Sequence, residues 1–353
     1  MACQWVILDA DQARWTEVLE APAQALREGR LVAFPTETVY GLGANAFDAA
    51  AVQGIYRAKG RPSDNPLIVH LADVQEVRKV ASAFPAIAQR LAARFWPGPL
   101  TLVLPARPQL PRVTLGGLQT VAVRLPSHPV AQQLLRLANV PVAAPSANRS
   151  GRPSPTTAAH VFADLGDRID YLIDGGPCLV GVESTVLDVT VTPPVLLRPG
   201  GIPKEVLEAT VGAIEVPAPL QPGEHPRAPG MKYRHYAPQA PLLLLEGPFP
   251  AVVQAAREEL WLAEQAGAST GLITDRAYAA QLSATVVRIL GDPGETQAAA
   301  AALFDALRAM DQAGVDRILA TPWPRRGVGE AVMNRLEKAA GGHVRRVGTP
   351  AEA

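Results

Sequence analysis

Short apolar runs alternate with longer segments whose apolar residues recur every three or four positions, and this alternation covers most of the chain. The first pattern reads as buried strand and the second as amphipathic helix. Residues 31–35 (LVAFP) form an expected strand. Asp48 can cap a helix carrying Val52, Ile55 and Tyr56, and Gly60 can end it. Strands are expected at 67–71, 100–104, 120–125 and 140–144. Helices are expected at 86–96, stopped by the Pro-Gly-Pro at 97–99, and at 128–138 after Ser127. Ser154 followed by Pro155 predicts a helix start, with the helix running to Leu165. Strands at 184–189 and 195–198 and a helix at 204–211 complete this part.

The pattern then changes. Residues 217–241 hold seven prolines and show little periodicity, which marks an extended linker. Beyond it a second cycle begins, with strands at 242–245, 271–274, 285–290 and 317–320 and helices at 252–266, 296–313 and 330–340. Three parts follow: a larger α/β domain over 1–211, a linker over 212–240 and a small Rossmann-like α/β domain over 241–353. Strands alternating with helices imply parallel strands joined by crossovers.

Composition narrows the function classes. With 48% hydrophobic and 19% charged residues, a packed globular protein is expected rather than a disordered one. Thirty-three basic residues balance thirty-three acidic ones, so a coat for nucleic acid or membrane finds no support in net charge. Cys3 and Cys178, the two cysteines, form no metal-ligand spacing, and no protein-bound metal is expected. The N-terminus lacks a basic start and a long apolar run, so no signal peptide and a cytoplasmic location are expected. Apolar runs such as 241–245 are too short to span a bilayer.

The chemistry must come from local clusters. There is no GxxxxGK[ST] loop, no GxGxxG after a strand and no HExxH. The first cluster, residues 35–43 (PTETVYGLG), follows a buried strand, where ligands of open α/β sheets bind. Its two hydroxyls, its carboxylate and a flexible glycine turn can orient a small polar ligand, although read alone it fits a capped turn slightly better. The second cluster places Arg57, Lys59 and Arg61 at a helix end, before Asn65 and His70. A guanidinium forks onto phosphate oxygens and a lysine supplies a mobile charge, as a triphosphate site without a P-loop requires. Cations complementing a helix dipole are the plain alternative, and His70 alone reads as a core histidine. The third cluster, residues 144–151 (APSANRSG) with Ser154, sets hydroxyls and an amide at a strand end, and backbone amides at the expected Pro155 helix start favour an anion. Arg124 sits in the apolar strand VAVRLP, where it needs either a substrate carboxylate or a buried Glu. Arg198 can be a second phosphate clamp or a surface residue. Residues 230–238 (GMKYRHYAP) are basic and aromatic, suited to closing over a nucleotide or to a solvated linker.

Taken together, FPTETVYGLG, KGRPSDNPLIVH, FWPGPLT, VAVRLP, APSANRSG, VESTVLD and LRPGG, in that order across residues 20–205, resemble the YrdC-type threonylcarbamoyl-AMP synthases. The linker and second domain resemble the long, two-domain form of that family. The resemblance implies a YrdC-like twisted open α/β sheet and a reaction in which L-threonine, bicarbonate and ATP give threonylcarbamoyl-adenylate and pyrophosphate, with Mg²⁺ accompanying the ATP. Partner proteins would then transfer the threonylcarbamoyl group to the tRNA adenosine beside the anticodon. By similarity, Lys59, Arg61, Ser146 and Asn148 surround the nucleotide, Asn65, Thr120, Ser154 and Arg198 contact ATP, and Tyr236, or else Tyr233, adds an ATP contact. Thr38, His70, Arg124 and Ser184 match threonine contacts. Ala144 stands where many members have a threonine, so that hydroxyl contact is lost or was a backbone contact. On this reading Lys59 and Arg61 face Ser146 and Asn148 across one cleft, and no stable nucleic-acid complex or membrane association is expected. Two other functions fit the same motifs: a carbamoyl-adenylating domain of hydrogenase maturation, whose zinc-finger-like cysteine pairs are missing here, and an RNA-binding or ribosome-assembly module, against which the zero net charge weighs.

Overall fold

The structure, a computed structural model, describes residues 3–8, 14–217 and 235–348. These form two compact units, one holding described residues up to 150 and from 154 to 217, the other holding residues 151–153 and 235–348.

The first unit contains strands β1 (Gln4–Ile7), β2 (Val32–Phe34), β3 (Gly41–Asn45), β4 (Ile68–His70), β5 (Leu100–Pro105), β6 (Thr120–Arg124), β7 (Val142–Ala143), β8 (Tyr171–Asp174), β9 (Thr185–Asp188) and β10 (Val195–Arg198). They hydrogen-bond into one ten-stranded sheet in the order β1-β8-β2-β3-β7-β4-β6-β5-β9-β10. Its helices are α1 (Trp15–Arg27), α2 (Ala49–Lys59), α3 (Val77–Val80), α4 (Ala86–Phe95), α5 (Pro129–Ala138), α6 (Ala158–Leu165) and α7 (Lys204–Val211). Alternate strand residues face opposite layers, as the two-residue period of a strand requires. Val32 and Phe34 pack with α1 and α5, whereas Ala33 joins the core under α2, α4 and α6. Beyond β7 the α1/α5 layer gives way to a small apolar cluster of strand residues alone, Ile68, Val103, Ala122, Val186, Val195 and Leu197.

The expectation of parallel pairing is corrected in this sheet. β1-β8, β2-β8, β4-β6 and β5-β9 are parallel, but β2-β3, β3-β7, β4-β7, β5-β6 and β9-β10 are antiparallel. The connections from β2 to β3 and from β9 to β10 are too short to carry a crossover helix, which forces the chain to return beside itself. The glycine turn expected in PTETVYGLG is also corrected, because residues 41–45 are β3 itself. A Cβ on Gly43 would stand 2.8 Å from Val142 Cγ1 and 2.9 Å from Phe34 Cε1, so this glycine serves close packing within a strand. Helix α6 begins at Ala158, with Thr157 accepting from the His160 N–H, rather than at Pro155. His128, not Ser127, caps α5. Helix α2 matches its expected signals at both ends: Asp48 accepts from the Ala50 and Ala51 N–H groups, and Gly60 closes it at φ 62°.

The second unit repeats one theme: β11 (Leu242–Glu246), α8 (Phe249–Gln265), β12 (Thr270–Thr274), α9 (Arg276–Ala279), β13 (Val286–Ile289), α10 (Thr296–Ala313), β14 (Arg317–Ala320), α11 (Gly329–Ala340) and β15 (Val344–Arg346). Its five strands pair in the order β13-β12-β14-β11-β15, all parallel, as the alternation predicted. No helix among the described residues is long and apolar enough to cross a membrane.

Two alanine substitutions test the packing of β3 and α2. Gly43→Ala forces side chains that are fully buried to shift and is expected to cost about 1–3 kcal/mol. Gly54→Ala, inside α2, meets only Leu31 atoms at 3.5 Å or more and is expected to stabilise by about 0.5–1 kcal/mol. Urea denaturation of both variants measures this, and a Gly43→Ala protein as stable as the parent would refute the close-packing account.

Candidate functional site

The strand register assembles the site. Val142 of β7 pairs with His70, His70 with Arg124, Arg124 with Thr101, Thr101 with Val186 and Val186 with Arg198. Residues paired across a sheet project from the same face, so His70, Arg124, Thr101 and Arg198 lie in one row. Arg198 reaches that row through a bulge. Leu196 pairs with Leu187 and Arg198 with Val186, leaving Leu197 as the extra residue that turns the arginine onto this face.

Arg124 is 4% exposed and has a partner for each part of its guanidinium. Nε donates to the Gly98 carbonyl at 3.3 Å, Nη1 donates to Thr38 Oγ1 at 2.8 Å, and Nη2 lies 2.7 Å from Glu37 Oε1. The buried Glu anticipated as one explanation for this arginine is therefore Glu37. The preceding turn divides its labour: Thr36 Oγ1 accepts from the Thr38 and Val39 N–H groups and donates to the Val39 carbonyl at 2.6 Å, leaving Thr38 to face Arg124. His70 Nδ1 is 3.2 Å from the Ile68 carbonyl, a contact in which it carries the hydrogen, and its ring meets Phe34 edge-on at 6.1 Å. Burial, and next the Arg124 charge, push His70 down to about 3 from its ordinary 6.5, so the ring is neutral at physiological pH. Ser184 Oγ bonds Thr101 Oγ1 at 2.8 Å and accepts from Arg198 Nη2 at 3.2 Å.

The other end of the same face lies at the amino ends of β4 and β6. Ile68 pairs with Ala122, so two residues earlier Pro66 stands level with Thr120. Antiparallel β7 and the Gly41–Ser146 bridge bring Ser146 to this level too. Thr120 is half-buried there, roughly 13 Å along the strand from Arg124. Arg61 donates from Nη2 to the Pro66 carbonyl at 3.1 Å, and the buried Asn65 Oδ1 has no donor among the described residues. Lys59, 3% exposed, donates to the Ser146 carbonyl and to the Asn148 carbonyl at 2.6 Å, while Ser146 Oγ donates to Asn148 Oδ1 at 2.6 Å. Lys59 thus touches Ser146 and Asn148 directly, and Arg61 turns to residues 65–66.

The sequence-derived residues therefore sort into two groups. Lys59, Arg61, Asn65, Thr120, Ser146 and Asn148 gather at one end; Thr38, His70, Arg124 and Ser184 gather at the other, with apolar Ile68, Ala122 and Val103 between. Arg198 and Ser154, read as nucleotide contacts, lie at the Arg124 end, and Ser154 Oγ donates to Glu183 Oε1 at 2.6 Å instead of capping a helix. Ala144 uses its N–H on the Ile68 carbonyl at 2.9 Å. Tyr236 belongs to the second unit, where its ring lies 5.2 Å from Phe304 and beneath the Arg335 guanidinium, and it holds φ at 62°. Tyr233, with residues 230–234 of the GMKYRHYAP motif, lies outside the described residues. Glu37 enters the sequence reading only as the carboxylate of its cluster, and Thr101 and Glu183 do not enter it as site residues. A hydroxyl inside the apolar run LTLVLP was the available signal for Thr101, and the quoted motifs PTET and VEST already contained both glutamates.

Comparison with known proteins identifies relatives over nearly the whole chain. A family model described as "Telomere recombination" (Sua5, YciO and YrdC) matches residues 24–200, and one described as "Threonylcarbamoyl-AMP synthase, C-terminal domain" matches residues 202–341. The chain is 51% identical over 347 residues to a threonylcarbamoyl-AMP synthase of Bacillus subtilis, covering 97% of this chain and 99% of that one. It is 52% identical over 324 residues to a protein of the same name from Pyrococcus abyssi, covering 91% and 94%. The crystal structure of P. abyssi Sua5 complexed with L-threonine superposes with a TM-score of 0.92 at 47% identity, covering 99% of this chain and 100% of that one.

The lowered His70 pKa predicts a stability effect. The unfolded chain takes up a proton as pH falls through about 6.5, while the folded protein resists until about 3. Stability attributable to this residue is therefore full above about pH 6.5 and declines below it, by about 2 kcal/mol between pH 7.5 and 5. Urea unfolding of the parent and His70→Asn at both pH values checks this. The parent should lose that much more than the variant, and equal losses would show that His70 is not held neutral.

Proposed function

The chain belongs to the Sua5, YciO and YrdC family, and from that premise we propose that it is an L-threonylcarbamoyladenylate synthase, a nucleotidyltransferase. L-threonine, bicarbonate and ATP give threonylcarbamoyl-AMP, pyrophosphate and water. The observation that carries the reading is a two-ended arrangement on one sheet: hydroxyls, an amide and cations gather at one end of β4 and β6, and a buried arginine with a neutral histidine lies about 13 Å away at the other. That span suits an amino acid joined through a phosphate to a nucleoside.

Arg124 receives the amino-acid carboxylate, with Thr38, His70 and Ser184 around its amine and hydroxyl. A neutral His70 offers hydrogen bonding without a second positive charge beside Arg124. Threonine and bicarbonate condense to a carbamate with loss of water, and a carbamate oxygen attacks the α-phosphorus of ATP, displacing pyrophosphate. Lys59, Arg61 and Arg198 oppose charge on the phosphates, and both arginines are anchored through carbonyl contacts, so little reorganisation accompanies the step. No covalent enzyme intermediate is required, and positioning supplies the rate. Among the described residues no three His, Cys, Asp or Glu side chains converge to hold an ion, so Mg²⁺ would arrive on the ATP phosphates, and no step is routed through it. The product would pass to proteins that transfer the threonylcarbamoyl group to tRNA in the cytoplasm.

The test is pyrophosphate release from the full chain. Release is expected to require both L-threonine and bicarbonate, and Lys59→Ala and Arg61→Ala should each lower it by about 100-fold or more. Wild-type rates in both variants would sink the phosphate-clamp roles, and release indifferent to threonine would sink the substrate assignment.

A further inference from the structure

In the PTET turn Thr36 braces the backbone and Thr38 faces Arg124, while the Glu37 side chain has no part in the proposed mechanism. It is 6% exposed, and although Oε1 lies 2.7 Å from Arg124 Nη2, neither carboxylate oxygen accepts a hydrogen bond from any described residue. Arg124 Nη2 is likewise off the hydrogen-bonding line. A purely structural Arg–Glu pair in a buried site normally aligns as a two-pronged fork, because each unmet polar atom costs free energy there. This pair neutralises charge and leaves the carboxylate's acceptor positions open. Besides Arg124, two titratable groups feel the Glu37 charge: the half-buried His128, whose pKa burial lowers, and the Cys178 thiol, which burial pushes up to about 12.

An α-amino acid carries its ammonium one carbon away from its carboxylate. A carboxylate bound by Arg124 therefore brings its ammonium within reach of an acidic group resting against the same guanidinium. We infer that Glu37 is the receptor for the substrate's α-amino group, accepting its N–H bonds and fixing the nitrogen that becomes carbamoylated. This rests on the reading of L-threonine as the substrate and adds to it the residue that distinguishes an amino acid from a hydroxy acid. Glu37 is thus a specificity-determining residue that touches substrate, distinct from a brace for Arg124.

A residue-by-ligand comparison separates these two roles. Calorimetry on the full-length protein compares L-threonine with 2,3-dihydroxybutanoate of matching stereochemistry, in which a hydroxyl replaces the amino group. The wild type should prefer threonine. Glu37→Gln should lower threonine affinity by about ten- to a hundredfold, the worth of a charge-assisted hydrogen bond, and change hydroxy-acid affinity less than about threefold. Glu37→Asp, which keeps the charge, should retain a preference for threonine, and ATP binding by either variant reports an intact cleft. If Gln does not fold, the threonine-to-hydroxy-acid ratio in Asp decides, and a collapsed ratio there overturns the inference. Parallel loss of both ligands in a variant that still binds ATP, or unchanged threonine affinity in Glu37→Gln, overturns it too, showing that the carboxylate acts only through Arg124. A wild type that binds ATP without binding threonine overturns the functional reading itself.

Discussion

A guanidinium buried at the end of a central strand constrains everything around it. Arg124 occupies a sheet position that otherwise demands an apolar residue, and leaving such a charge unmatched costs several kcal/mol. The structure meets this demand from three directions, through the Gly98 carbonyl, Thr38 Oγ1 and the Glu37 carboxylate. Two of those partners come from the turn between β2 and β3. That turn is held by Thr36, and the strand after it can lie against β7 only because Gly43 lacks a side chain. The arginine and the turn chemistry answer one requirement, although eighty-six residues separate Arg124 from Thr38. The same guanidinium also helps keep His70 neutral, so the charge state at this end of the cleft follows from it as well.

Much of this was legible in the residues, for identifiable physical reasons. Helix α2 carried capping signals at both ends, and both operate as read. Arg124 announced itself as a charge in an apolar run, and its need for either a substrate or a glutamate was correctly posed, although sequence could not say that Glu37 stands there. What escaped detection lacked local signal. Strand β1 is largely exposed and β8 has only four residues, so neither offers a period to detect. Helix α1 does bury Leu19, Pro22, Ala23 and Leu26 at helical spacing, but Pro22 in its interior argues against a helix on local grounds. Ser154-Pro155 looked like a helix start because Ser and Pro serve that role by themselves. The partner that claims the Ser154 hydroxyl, Glu183, is twenty-nine residues away and invisible to local reasoning.

The mixed sheet is what sets these groups at opposite ends of the same strands. In an open parallel sheet, side chains that bind ligand collect beyond the carboxyl ends of the strands, so the site crosses the edge of the sheet. Here β7 runs antiparallel to β4 and returns Ser146 to the amino ends of β4 and β6, while Arg124 and His70 mark the carboxyl ends of the same two strands. The two chemistries are consequently separated along the strand direction, on one face, at a distance set by strand rise rather than by loop conformation. The cations come from different elements at the two ends, Lys59 from the last turn of α2 and Arg198 from the bulged strand β10. The Leu197 bulge is the last necessary element. In an unbroken register Leu197 would pair with Val186 and Arg198 would turn to the opposite face, leaving Ser184 without its guanidinium and Arg124 as the arginine of that end.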